Sequence, residues 1–151
     1  MKQIQLAISI VQRIVGDKIE VLLQLDPHRQ SWCFVVGQRL QTESFRETIL
    51  RETAWRLDLD RKKDFLVAHM PLLSVEHVER PPHSEDDAKF KLEFYPVHLY
   101  GHRSVQKVSQ SSACDWFSCR EVCSGLTNQG MPVDPQIVNW LNKWQILHPW
   151  N

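Results

Sequence analysis

The segment GQRLQTESFRETILRETAWRLDL, from Gly37 to Leu59, carries the clearest structural pattern in the chain. Ser44, followed three residues later by Glu47, has the form of a capping box, which marks the start of an α-helix. Apolar or small side chains then recur at four-residue steps, at Phe45, Ile49, Thr53 and Leu57. Side chains with this spacing lie on one side of a helix. The segment therefore predicts a helix with one face packed on a core.

The residues before this helix predict β-strands. Apolar and polar side chains alternate between Ile4 and Val15, which is the pattern of a half-buried strand. Gly16 and Asp17 form a turn pair, and Ile19 to Leu25 then completes a predicted hairpin. A polar loop follows, and Trp32 to Val36 is a short apolar run typical of a buried strand.

The residues after the helix predict further strands around a polar loop. Phe65 to His77 is a mixed segment, and Pro71 predicts a break in its strand. Arg80 to Ala88, RPPHSEDDA, is polar and rich in turn-forming residues, so it predicts a mobile loop. Phe90 to Tyr100 alternates again and predicts a strand.

The carboxyl-terminal third predicts two helices. His102 to Ala113 is weakly patterned, and a short helix is predicted through Val122 after the stretch Asp115 to Ser118. Asp134 followed by proline predicts a closing helix that runs through Leu147. We expect one domain over residues 1–151, of the α/β class, built as an α/β/α sandwich around a mixed sheet.

The composition restricts the possible partners. The chain has 18 lysines and arginines against 18 aspartates and glutamates, so no overall field favours nucleic acid or a membrane surface. The amino-terminal residues alternate and carry charges, which predicts neither a signal peptide nor a membrane span. We therefore expect a cytoplasmic protein with no nucleic-acid or membrane partner.

The cysteines predict free thiols. Cys33, Cys114, Cys119 and Cys123 are too few for a disulfide framework in a chain of 151 residues without an export signal. The last three are spaced C-x4-C-x3-C, which differs from the C-x2-C spacing of common zinc sites. A zinc site completed by His98 or His102 is the alternative.

The segment from Gly37 to Leu59 resembles the Nudix box, whose pattern is Gly, five residues, Glu, seven residues, then Arg-Glu-U-x-Glu-Glu-x-Gly-U, with U a bulky aliphatic residue. An alignment without gaps matches five positions of the pattern: Gly37, Glu43, Arg51, Glu52 and Leu59. Trp55 and Arg56 replace the two adjacent glutamates, and Asp58 replaces the second glycine. Outside the box, Trp32 and the Asp115-Trp116-Phe117 stretch are weaker similarities to the same family.

The resemblance implies a Nudix fold and, in ordinary members, hydrolysis of a diphosphate linkage with Mg²⁺ or Mn²⁺. Such cations need several oxygen ligands, and in the box three glutamates share one helix face. Only Glu52 of these remains, and Arg56 stands four residues after it, in the favourable order for an ion pair. Our hypothesis is that Arg56 occupies the former metal position. Glu43 and Arg51 are then expected to serve the architecture of the loop and helix.

These substitutions predict a Nudix-like protein that lacks standard hydrolysis and acts as a ligand-binding or interaction module. No catalytic residue, metal or cofactor is expected, and a nucleotide-like small molecule is the expected ligand. The predicted ligand cleft contains Gly37, Trp55, Arg56 and Glu93. Trp55 either stacks on a base or closes the cleft by filling it, and we favour filling.

Two alternatives remain open from the sequence. A divergent Nudix hydrolase would cleave a nucleoside diphosphate derivative and hold Mg²⁺ or Mn²⁺ with Glu52, Glu43 and either Glu85 or Glu93. A subunit of a larger assembly would instead bind another protein through the former cleft or the terminal helix. A homodimer is also possible, and Trp150, near the carboxyl terminus, is a candidate for contact with a neighbouring subunit.

Overall fold

Eight strands and four helices make up the fold in a computed structural model that describes residues 1–147. The strands are β1 (Lys2–Val15), β2 (Lys18–Asp26), β3 (Ser31–Cys33), β4 (Val35–Gln38), β5 (Phe65–Val67), β6 (Leu73–Glu79), β7 (Ala88–Leu99) and β8 (Cys114–Ser118). The helices are α1 (Phe45–Leu57), α2 (His102–Ser109), α3 (Cys119–Ser124) and α4 (Pro135–Lys143).

All eight strands belong to one mixed sheet. Its main path is β3-β2-β1-β7-β5, while β4 pairs with β1, β6 pairs with β7, and β8 pairs with β2. β1 and β7 are parallel over eleven residue pairs from Lys2–Ala88 to Gln12–His98, and the other pairings are antiparallel. The mixed sheet predicted from the sequence is therefore confirmed.

Helices cover both faces of this sheet, and β1 runs between the two layers. Ile8 and Ile10 of β1 are buried in a core with residues of α3 and α4. Ala7 and Val11 point into a second core with residues of α1 and α2. A strand buried on both faces has little room for polar side chains, which explains its nearly continuous apolar centre. The α/β/α sandwich is confirmed.

Helix α1 begins and ends where its sequence indicates. The Ser44 hydroxyl accepts a hydrogen bond from the Glu47 backbone N–H at 3.1 Å, which satisfies one free donor of the first turn. Asp58 ends the helix in the left-handed conformation, with φ of 53°. Asp58 aligns with the second box glycine, and aspartate is among the residues that tolerate this conformation. The predicted buried stripe is confirmed, and Thr48 and Glu52 are buried with it.

The other elements agree with the sequence predictions in part. The predicted break at Pro71 is confirmed, because β5 ends at Val67 and β6 begins at Leu73. The predicted strand from Trp32 to Val36 is instead two short strands separated at Phe34. The closing helix ends at Lys143 rather than at Leu147, and Gln145 has a positive φ of 52°, which a continuing helix does not allow.

Helix α2 lies in the stretch that the sequence leaves without an element. Only Ser104 and Val108 of its eight residues are buried, so its apolar signal is short. The Ser104 hydroxyl donates a hydrogen bond to the Tyr100 carbonyl at 2.7 Å and ties the helix to the end of β7.

Among residues 1–147, no helix has the length and apolar character required to cross a membrane.

Candidate functional site

Helix α1 packs directly against β4 at Gly37. A Cβ atom placed on Gly37 would lie 2.4 Å from Cγ of Glu52 and 2.9 Å from Cγ2 of Thr48. Real carbon atoms do not approach so closely, so the position admits only a hydrogen atom. Gly37 therefore sets the distance between the strand and the helix face that carries Glu52. Gly37 serves helix packing and does not line the cleft that contains Trp55 and Arg56, although the sequence predicted it there.

Arg51 links α1 to the loop that precedes it. Its Nε and Nη2 groups donate hydrogen bonds to the two carboxylate oxygens of Glu43, at 2.7 and 2.9 Å. Nη2 also donates to the Gln38 carbonyl at 3.1 Å. Glu43 accepts further hydrogen bonds from the Thr48 hydroxyl and the Leu40 backbone N–H. The architectural role predicted for Glu43 and Arg51 agrees with these contacts.

The pKa values of this pair follow from the same contacts. The hydrogen bonds from Arg51 are the largest cause that lowers the pKa of Glu43, from 4.5 to about 2. The hydrogen bonds to Glu43 in turn raise the pKa of Arg51. Both groups therefore stay charged at neutral pH, and the pair is a permanent ionic contact.

Glu52 lies between two arginines. Its Oε1 accepts a hydrogen bond from Nη1 of Arg51 at 2.8 Å, and its Oε2 accepts one from Nε of Arg56 at 2.9 Å. Its side chain is only 11% exposed. The ion pair predicted between Glu52 and Arg56 is present. A single buried carboxylate thus receives a cation on each oxygen.

The donor set around α1 does not suit a divalent cation. The oxygens of Glu43 and Glu52 already accept arginine hydrogen bonds, and Mg²⁺ or Mn²⁺ would need those oxygens as ligands. Glu85 is an exposed residue of the loop before β7. Among residues 1–147, no three histidine, cysteine, aspartate or glutamate side chains are grouped so that they could hold a metal ion. All four cysteines are free thiols.

Glu93 lies in another part of the molecule. Its carboxylate accepts hydrogen bonds from the Tyr95 hydroxyl at 2.7 Å and the Ser74 hydroxyl at 3.0 Å. It lines a shallow depression with Lys91 and with Phe45 at the start of α1. Glu93 was predicted to share one cleft with Trp55 and Arg56, but these residues line different depressions in the structure.

A cleft opens beside the last turn of α1, where Trp55 and Arg56 meet the end of β2. Its volume is about 500 Å³, and its lining is Gln24, Leu25, Asp26, Pro27, Cys33, Trp55 and Arg56. The Trp55 side chain is 74% exposed, so the indole lies at the rim and does not fill the cleft. This corrects the favoured interpretation of Trp55. The faces of an exposed ring are available to stack on a flat ligand.

A second cavity of about 330 Å³ continues from this cleft towards α4. Three residues line both spaces, namely Asp26, Cys33 and Arg56. The inner cavity combines apolar side chains of the sheet and α4, including Leu6, Val36, Ile137 and Trp140, with polar groups, including Arg29, Asp134 and Gln136. Arg56 therefore lies at the junction of an outer and an inner compartment. We call the two compartments together the Arg56 cleft.

The polar wall of the Arg56 cleft was not identified from the sequence. Nη1 of Arg29 lies 3.4 Å from Oδ2 of Asp134, which also caps α4 through the Gln136 backbone N–H. These residues come from the loop after β2 and from the start of α4, more than a hundred positions apart. Burial, with the nearby acids Asp134 and Asp26, raises the pKa of the Cys33 thiol from 9.0 to about 11. Cys33 is therefore a neutral wall residue.

Comparison with known proteins identifies the fold. A C. elegans Ap4A hydrolase matches at a TM-score of 0.65 and 14% identity, over 96% of this chain and 97% of that chain. A mutT/nudix family protein from Listeria innocua matches at a TM-score of 0.57 and 13% identity, over 96% and 93%. The NUDIX domain of Shewanella oneidensis NrtR, solved with ADP ribose, matches at a TM-score of 0.55 and 15% identity, over 96% and 90%.

No protein-family model matches the sequence, and no curated protein matches it. At 13 to 15% identity the structural matches establish the fold alone. The Nudix fold predicted from the box is confirmed. Trp150, the candidate for contact with a neighbouring subunit, lies outside residues 1–147, which the structure describes.

Proposed function

We propose that this chain is a Nudix-fold binding module that holds a nucleotide-like phosphorylated ligand in the Arg56 cleft without a divalent cation and without standard diphosphate hydrolysis. The observation that carries the proposal is the arrangement of Glu52, whose two oxygens are each taken by an arginine. Where ordinary members of the fold family use a metal to neutralise phosphate, this chain presents the fixed charge of Arg56.

Arg56 has donors left for a ligand. Its Nε group is bonded to Glu52, while its two Nη groups make no hydrogen bond to any residue in 1–147. Its side chain is 43% exposed at the junction of the two compartments. A guanidinium with two free NH₂ groups suits a phosphate, because it can donate two parallel hydrogen bonds to two oxygens. Glu52 fixes the position of this guanidinium.

The two compartments offer complementary surfaces for the rest of a ligand. The exposed Trp55 ring lies beside Arg56, with 5.6 Å between the Arg56 Cζ atom and the ring centroid. It can stack on a base at the rim, as aromatic side chains do with unpaired bases. The inner compartment is partly apolar, and Gln136 and Asp134 provide polar groups there. This arrangement suits a ligand whose phosphate lies against Arg56 and whose base or sugar lies in one of the two compartments.

The structural relatives support the same ligand class. The Shewanella oneidensis NrtR domain was solved with ADP ribose, and the C. elegans relative is an Ap4A hydrolase. Both compounds contain adenosine joined to further groups through phosphates. ADP-ribose is therefore the first probe for this chain.

We expect ADP-ribose to bind this chain equally well in EDTA and in Mg²⁺, as measured by isothermal titration calorimetry. Arg56→Gln is expected to weaken binding about tenfold to 100-fold, because a hydrogen bond to a charged group contributes about 1.5–3 kcal/mol. Trp55→Ala is expected to weaken it about tenfold, since stacking contributes about 1–3 kcal/mol per base. Arg61→Gln is the matched control, because Arg61 is an exposed arginine outside the cleft.

Three results would contradict this proposed binding function. Binding that requires Mg²⁺ or Mn²⁺ would contradict a cation-independent site. Turnover of nucleoside diphosphate derivatives that disappears in Glu52→Gln would instead establish the divergent hydrolase. A loss of binding in Arg61→Gln equal to that in Arg56→Gln would show that the effect comes from net charge and not from the cleft.

A further inference from the structure

The outer edge of the sheet at β6 offers a second interaction surface, whose residues do not line the Arg56 cleft. β6 pairs with β7 on one side, and no strand within residues 1–147 pairs with its other side. Its outward N–H and C=O groups are therefore available to another strand. Natural edge strands are often protected by lysine or proline, and the β6 sequence LSVEHVE contains neither.

Apolar side chains accompany this free edge. Leu72, directly before β6, and Val78, within it, are each 49% exposed. Side chains two residues apart on a strand point to the same face, so Ser74, Glu76 and Val78 share one face of the edge. Leu72, at the bend just before the strand, is exposed like them. The opposite face is anchored in the molecule, because Leu73 and Val75 pack against the core shared with α4. The core thus holds the edge strand in place, and an apolar side chain lies at each end of its exposed face.

We propose that β6 pairs antiparallel with β6 of a second copy of this chain, about a two-fold axis at Val75. In this register Leu72 lies opposite Val78 of the second copy, and Ser74 lies opposite its Glu76. Each pair occurs twice because the interface is symmetric. Apolar groups meet apolar groups, and no acid lies directly opposite another acid. The Ser74 hydroxyl keeps its hydrogen bond to Glu93 and gives Glu76 a neutral neighbour. Glu76 is also neutralised by Lys89, whose Nζ lies 3.3 Å from its carboxylate.

Neighbouring registers are less favourable. Two residues directly opposite each other in an antiparallel pair both point their N–H and C=O groups towards the partner strand, or both point them away from it. In a symmetric pairing of two identical strands, the two-fold axis must therefore pass beside one residue, which lies opposite its own copy. An axis at Glu76 would place two glutamates directly opposite each other, which is destabilising. An axis at Ser74 would place exposed Leu72 opposite Glu76, and one at His77 would place Val75 opposite Glu79. Of these four axes, only the one at Val75 places Leu72 opposite Val78.

Sedimentation velocity across a concentration series tests this dimer. As the concentration increases, the mass measured for the wild-type protein is expected to rise from that of one chain towards that of two. Leu72→Lys with Val78→Lys places lysines opposite each other and is expected to raise the dimer Kd at least about tenfold, because it replaces two apolar pairs with repulsive ones. Leu72→Lys with Val78→Glu places opposite charges in the same positions and is expected to restore dimerisation at low salt.

Ile14→Lys is the matched control, since Ile14 is also exposed but lies at the end of β1. It is expected to leave the dimer unchanged, and circular dichroism confirms that each variant is folded. A wild-type chain that stays monomeric at every concentration would overturn the proposal. So would a dimer that the lysine pair does not weaken, or one that the lysine–glutamate pair does not restore.

Discussion

Arg51→Leu is expected to lower the free energy of unfolding by about 2–4 kcal/mol, although Arg51 belongs to neither apolar core. The variant removes the two hydrogen bonds that Arg51 donates to the Glu43 carboxylate, and it removes one of the two cations on Glu52. Breaking a buried pair is costly because one charge stays buried without its partner. Partial exposure of Arg51 keeps the loss below the largest values for such changes.

Lowering the pH is expected to reduce the difference in the free energy of unfolding between the wild-type chain and Arg51→Leu. The pKa of Glu43 is lower in the folded chain, about 2, than its ordinary value of 4.5. Its contribution to stability is therefore complete above pH 4.5 and is lost as the pH falls towards 2. Without Arg51 the principal cause of the lowered pKa is gone, so the variant has less stability to lose over that range.

Urea unfolding of both proteins at pH 7 and at successively lower pH measures this effect. Arg51→Lys keeps a positive charge but not the forked geometry, and we expect it to recover only part of the stability. Arg61→Leu removes an exposed arginine and is expected to change stability by less than about 0.5 kcal/mol. A stability loss in Arg51→Leu that is no larger than in Arg61→Leu, or that stays constant down to pH 2, would contradict this account of the ionic cluster.

Gly37→Ala is the second large effect that we expect, a loss of about 2–3 kcal/mol. The added methyl group would meet Cγ of Glu52 at 2.4 Å and Cγ2 of Thr48 at 2.9 Å. Strand and helix must then move apart, which also disturbs the hydrogen bonds of Glu52. Thr48→Ser removes one of the two obstructing carbons, so adding it to Gly37→Ala is expected to recover part of the loss.

Gly16→Ala separates crowding from backbone strain in the same measurement. Gly16 has a positive φ of 64°, but no atom lies within 4 Å of an added Cβ. Its replacement is therefore expected to cost only the strain of the left-handed conformation, about 1 kcal/mol. Equal losses in Gly16→Ala and Gly37→Ala would show that close packing of α1 on β4 is not what requires Gly37.

The sequence predicted helix α1 well because its signals are local. Ser44 and Glu47 mark its start, and the four-residue spacing of its apolar side chains marks its buried face. The ion pair between Glu52 and Arg56 was predictable for the same reason, since both residues lie on one helix. Helix α2 escaped prediction because two buried residues in eight give a periodicity too short to recognise.

The Arg56 cleft could be predicted only in part, because its walls come from distant segments. Trp55 and Arg56 were identified as cleft residues from their places in the box. Arg29 and Asp134 meet across 105 positions of sequence, and no local pattern reports such a contact. Glu93 was assigned to the same cleft from its residue type and its strand. Strand pairing instead places it opposite Ser74, and its carboxylate accepts hydrogen bonds from Ser74 and from Tyr95 on its own strand.

Trp55 shows the limit of reasoning from a box position. The substitution of an indole for a glutamate suggested either a filled cleft or a stacking surface, and the sequence does not distinguish a buried ring from an exposed one. Exposure of 74% excludes filling and leaves the ring available to a ligand. The consequence for function is that the cleft beside Arg56 is open.

The central claim is that arginines occupy the carboxylate that a metal would need, and isothermal titration of Mn²⁺ tests it most directly. The wild-type chain is expected to show no stoichiometric Mn²⁺ site, because the oxygens of Glu52 are bonded to Arg51 and Arg56. Trp55→Glu with Arg56→Glu restores three carboxylates on one helix face and is expected to gain such a site. Stoichiometric binding of Mn²⁺ to the wild-type chain that disappears in Glu52→Gln would contradict the account.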